Sequence, residues 1–188
     1  MTIMEQDYLD SFENNLQERL LGIATECGML EGTLLSSSDI DDFWPSVAPG
    51  YLADAVTQVQ NYPTVSLAWA AYLGLGVACG WDLDWNTFSK ADYQYFLGPN
   101  GFDDMDDHIV GDILGLAIDG SEAAGLEKVF RSCAQLSIDL IRHEQVEPQS
   151  PMAFHIFARA CRAMYRIGAS IELKRLGYRL ERVGLPEC

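Results

Sequence analysis

Residues 62–81 read YPTVSLAWAAYLGLGVACGW, twenty positions without a charged side chain, and their reading decides the fold. That length reaches what a helix needs to cross a bilayer. The composition argues otherwise, because Ser, Thr, Pro and small residues stand where dense Leu and Ile would be needed. The nearest charges on both sides are acidic, so no positive-inside signal accompanies the run. Ser66, Ala70, Gly74 and Ala78 lie four apart and therefore share one helical face, a flat stripe that a second helix can approach closely. Residues 62–80 read as the central helix of a core, surrounded on all sides, and no membrane association is expected.

Working outward, helical periodicity recurs. Leu9, Phe12, Leu16, Leu20, Ile23 and Cys27 step by three and four, predicting a helix over 5–30 that Gly28 and Gly32 terminate. Residues 33–49 carry Ser, Asp, Trp44-Pro45 and Pro49-Gly50 and read as a loop with at most one turn of helix. Tyr51 to Val59 make a short second helix, and Asn61-Tyr62-Pro63 starts the core helix. Residues 81–85 read as a loop, with a short helix after it to about residue 97. A helix over 102–118 turns Phe102, Met105, Ile109, Ile113 and Leu116 inward. Another spans 122–145, and Ser150-Pro151 opens a last one over 152–178. No alternating segment argues for a strand. The fold class is all-α, an antiparallel bundle or orthogonal array of six to seven helices in a single domain over 1–188.

Charge is distributed unevenly along the chain. Residues 1–127 hold 22 Asp and Glu against Arg19 and Lys90, whereas residues 128–188 hold six acids against ten Lys and Arg. Coulomb attraction predicts that the basic C-terminal segment docks on acidic parts of the N-terminal region. A net charge of −16 repels phosphate backbones, so no nucleic-acid partner is expected, and a basic protein surface or self-association is. Hydrophobic content of 48% is enough for a real core despite that charge. The first ten residues lack a basic segment and an apolar one, so no signal peptide is expected. Five widely spaced cysteines without a CxxC pair, three of them (Cys27, Cys133, Cys161) on apolar faces, suit a reducing compartment and a cytoplasmic location.

Three constellations bear on chemistry. His155, Arg159, Arg162 and Arg166 follow 4-3-4 spacing and form one ridge, a candidate anion site, with Phe154, Phe157, Cys161, Met164 and Gly168 on the opposite side. The competing expectation pairs the three arginines with acids of the first helix and of the 103–112 segment. Asp104 with His108, and Asp139 with His143, each share a helical face on consecutive helices. An antiparallel hairpin between those helices gathers all four as candidate ligands of a divalent metal, the only cofactor in view. Asp82-x-Asp84-x-Asn86 begins like a calcium loop, but Thr87 and Tyr93 replace its turn Gly and closing Glu, so helix capping explains it better. His143-Glu144 lacks the second zincin histidine, since Glu147 stands there, and no Walker or Gly-x-Ser-x-Gly sequence occurs.

The function expected from these residues is a non-enzymatic, cytoplasmic interaction or regulatory module. It engages a basic partner through acidic surface or through the aromatic region around 81–96, although those aromatics more simply seal one end of the bundle. The alternatives are a metal-binding or metal-dependent hydrolytic site on the two Asp-x-x-x-His pairs and an anion site on the arginine ridge.

Overall fold

The computed structural model describes residues 1–185 and is all-helical, with six α-helices and no strand among the described residues. Helix α1 (Ile3–Glu26) begins with a reciprocal cap: Glu5 N–H donates to Thr2 Oγ1 at 3.1 Å, and Thr2 N–H donates to Glu5 Oε2 at 2.7 Å. Helix α2 is Ser38–Val59, α3 is Pro63–Phe88, α5 is Ser121–His143 and α6 is Pro151–Arg175. The short α4 (Met105–Asp107) lies between a 3-10 turn (Phe102–Asp104) and a π-helical turn (His108–Ile113).

Helix α3 is the axis of the molecule. It packs most extensively on α6, then on α5 and α2, while α1 lies across α6 and α5. Its composition and length meet the minimum for a membrane-crossing helix, yet 83% of its most apolar window is buried inside the bundle. The small-residue stripe is where α6 comes in. A Cβ on Gly74 would fall 1.9 Å from the carbonyl oxygen of Tyr165, so only hydrogen fits there. Apolar residues from all six helices join one continuous core.

The structure differs from the sequence reading in four places. Residues 38–49 are not a loop but the first half of α2, which carries Pro45 and Pro49 in its interior. Each proline removes one backbone hydrogen bond. The offsetting gain is packing, since Ile40, Phe43, Trp44, Val47 and Tyr51 are all buried and Trp44 meets Tyr165 at 5.0 Å between ring centroids. Residues 81–85 do not form a loop either. Helix α3 continues to Phe88 across a kink at Asp84, whose carboxylate accepts from the Thr87 hydroxyl at 2.6 Å and caps the final turn. The short helix expected up to residue 97 shrinks to a single 3-10 turn, Tyr93–Phe96.

The fourth difference is the 102–118 segment. Leu114 N–H donates to Ile109 O and Leu116 N–H to Val110 O, both at 2.9 Å, which widens the turn beyond α geometry. The register slips with it. Val110 is buried beside Met105 and Ile109, whereas Ile113 and Leu116 are only partly covered. Gly115, at φ +72, then ends the segment in the left-handed region that favours glycine.

The two oppositely charged parts of the chain dock as Coulomb attraction predicts. Arg159 pairs with Asp10 and Glu13, Arg162 with Glu13, Lys174 with Glu31 and Arg175 with Glu122. The C-terminal segment also straps the start of α2: Ser36 N–H donates to Glu181 O and Val183 N–H to Ser36 O, both at 2.9 Å.

Candidate functional site

The arginine ridge faces acids along its whole length. Arg159 donates to Asp10 Oδ1 at 2.6 Å and to Glu13 Oε2 at 2.7 Å, and Arg162 donates to both oxygens of Glu13 through Nε and Nη2. Arg166 stands 3.7 Å from Asp41. The acids come from α1 and α2. The 103–112 segment contributes none, because it packs on α3 away from α6. Glu13 is no surface acid, with a side chain only 5% exposed, so its two arginines neutralise a buried charge. The Arg159 hydrogen bond holds the exposed Asp10 carboxyl below its ordinary range. His155, one turn earlier, sits half-buried beside Phe154, with ring centroids 5.9 Å apart.

The four candidate metal ligands do not share a partner. Asp104 accepts from the Asn100 backbone at 3.0 Å and from its side chain at 2.7 Å. His108 uses Nδ1 toward Asp112 at 2.8 Å and Nε2 toward the Tyr95 carbonyl at 3.2 Å. Asp139, exposed on α5, accepts from Gln135, and His143 is exposed at that helix's end. The expected gathering fails because the 102–113 segment meets the first half of α5, with Asp106 facing the same pocket as Glu127 and Arg131, while Asp139 and His143 lie toward the helix's far end. Among the described residues no three His, Cys, Asp or Glu side chains are grouped to hold a metal ion. The residues of the calcium-like start are engaged locally, Asp82 by the Tyr178 hydroxyl at 2.7 Å and Asp84 as a cap.

A site that the sequence did not reveal lies between the ends of α2 and α5 and the start of α6. Val56 and Val59 of α2, Ile138 and Ile141 of α5, and Phe154 and Phe157 of α6 line an open groove of about 680 Å³. The loop from α5 to α6 forms one wall, with Gln145 and Gln149 both in the left-handed region, at φ 53 and 64. Periodicity places Phe154 on the inward side of α6. It is instead 44% exposed, and Val56 across the groove is 40% exposed. Arg142 is the one charged residue lining the groove and makes no ion pair among the described residues. The only signal in the sequence is three apolar pairs at three-residue spacing, a pattern equally at home in a core.

The aromatics of 81–96 divide. Trp81, Tyr93 and Phe96 are buried, and Trp81 Nε1–H donates to Asp39 at 3.1 Å, while Tyr95 is 52% exposed. Most of the cluster therefore packs into or against the core. Cys133 and Cys161 are buried on their helices, but Cys27 is exposed beyond the last turn of α1. Cys188 lies outside the described residues.

No family model, no curated protein and no solved structure matches this chain. The class is therefore defined by the architecture: an all-α protein with a buried small-residue helix at its centre and an apolar groove at one end.

Proposed function

We propose that this protein is a non-enzymatic helical interaction module whose groove between α2, α5 and α6 takes an amphipathic helix of a basic partner protein. The groove carries the reading. Exposed Val56 and Phe154 on opposite walls, over Ile138, Ile141 and Phe157, offer the spaced apolar anchor sites that such a helix uses. A net charge of −16 draws basic partners by long-range attraction and repels a second copy of the chain, which favours a basic partner over self-association. Arg142 at the groove wall sets direction by pairing with an acidic group or C-terminal carboxylate on the docked helix. The thiols of Cys79, Cys133 and Cys161, unpaired and buried, suit a reducing compartment, and a cytoplasmic workplace belongs to the same proposal.

Fluorescence anisotropy with a labelled amphipathic leucine-lysine helix as the probe tests it. Saturable binding that weakens with salt and is lost in Phe154→Asp supports the groove. Equal binding to that variant, or no binding to the wild-type chain, overturns it.

A further inference from the structure

A second cavity, smaller and polar, lies where α2 crosses α6, about 260 Å³ in volume and away from the groove. Asp41, Trp44, Arg162, Tyr165 and Arg166 line it. Trp44 and Tyr165 are almost wholly buried, and the Tyr165 hydroxyl is turned inward, donating to the Ile40 carbonyl at 2.7 Å. They supply aromatic surface, and the polar functions left to the cavity are one carboxylate and two guanidinium groups.

Those groups are bonded unevenly. Arg162 spends Nε and Nη2 on Glu13, leaving Nη1 unused. Arg166 and Asp41 stand 3.7 Å apart, and among the described residues neither side chain makes a hydrogen bond. Elsewhere on the ridge every guanidinium is hydrogen-bonded to a carboxylate. Partial burial even pushes the Asp41 carboxyl above its ordinary range, despite the neighbouring arginine. Opposite charges thus face one cavity side by side, each side chain more than a third exposed and open to a ligand from solvent.

We propose that this cavity binds a small zwitterion, an α-amino acid, whose carboxylate takes Arg166 and the Nη1 edge of Arg162 and whose ammonium takes Asp41. A simple anion would meet the Asp41 carboxylate, and a simple cation would meet two guanidiniums. Only a ligand carrying both signs at short separation satisfies all three groups. The cavity, about 260 Å³, has the scale of a small molecule, whose side chain would lie against Trp44. The site is independent of the groove.

Isothermal titration calorimetry on the full chain tests this with L-alanine, L-serine and L-leucine as probes, and with acetate and methylammonium as single-charge controls. At least one amino acid should bind one-to-one, with each control weaker by about tenfold or more. Asp41→Asn and Arg166→Gln should each weaken the amino acid by a similar factor, and Phe154→Asp should leave it unchanged. Acetate binding as tightly as the amino acids, undiminished binding to a folded Arg166→Gln, or no binding of any amino acid at millimolar concentration would each overturn the assignment.

Discussion

Gly168 of α6 lies so close to Ala71 of α3 that a methyl group added to it would fall 1.8 Å from the Ala71 carbonyl oxygen. Gly74 meets Tyr165 in the same way one turn along, so the two central helices touch backbone to backbone. Backbone cannot rotate out of the way as a side chain can, and the helices must separate to admit a Cβ. Gly168→Ala and Gly74→Ala should each cost about 1–3 kcal/mol or more by overpacking. Gly22, exposed on α1 with nothing within 4 Å of an added Cβ, is the control. Gly22→Ala should stabilise by roughly 0.5–1 kcal/mol. Urea denaturation of the three variants checks both signs.

The stripe that creates this contact was legible because small residues at four-residue spacing flatten one helical face, and a flat face suits close approach by a second helix. Helix type and order were legible too, from the three-and-four spacing of apolar residues. Pro45 and Pro49 concealed the first half of α2, because local propensity speaks against a helix and only tertiary burial of Trp44 and its neighbours outweighs it. The π turn at His108–Ile113 leaves no mark in composition, yet it exchanges Val110 for Ile113 on the buried face. The groove was hidden for a different reason. Whether Phe154 and Val56 are covered depends on what stands opposite them, which periodicity within one helix does not encode.

Glu13 receives both Arg159 and Arg162, so either arginine alone still leaves it a partner. Single Arg159→Ala or Arg162→Ala variants should therefore cost modestly. The double variant strands a buried carboxylate and should cost about 3–5 kcal/mol, more than the sum of the singles. A double-mutant cycle by chemical denaturation measures the excess. Strict additivity would show that water reaches Glu13 freely.

Stability should pass through a maximum in mild acid. Burial holds Asp41, Asp106 and Glu172 above their ordinary carboxyl range. Groups raised on folding contribute stability that is full below roughly pH 4 and is lost as pH rises through their folded values. Glu5, Asp10 and Glu31 are held lower, by hydrogen bonds from the Thr2 backbone, Arg159 and Lys174 in turn. Their contribution is present above roughly pH 4 and lost as pH falls through their folded values. The melting temperature should climb as pH falls from neutral toward roughly pH 4 and decline at lower pH, and Glu172→Gln should flatten the climb. Thermal melts across that range decide it, and a monotonic fall from neutral pH would contradict the assignment.

Among the described cysteines, Cys27 should react first with a thiol reagent under native conditions. Burial removes access to Cys79, Cys133 and Cys161 and raises their thiols, to about 11 for Cys79 and about 12 for Cys133. Peptide mapping after brief alkylation reads the order. Early modification of Cys133 would mean that α5 opens more readily than its packing indicates.

The groove is tested most directly by isoleucine-methyl NMR during titration with the amphipathic leucine-lysine helix. Ile138, Ile141 and Ile156 line the groove, while Ile109 and Ile118 report on the acidic 103–112 region away from it. Docking in the groove predicts shifts confined to the first three, abolished by Phe154→Asp. Shifts at Ile109 and Ile118 with the groove methyls silent would contradict it, placing the basic helix on acidic surface instead.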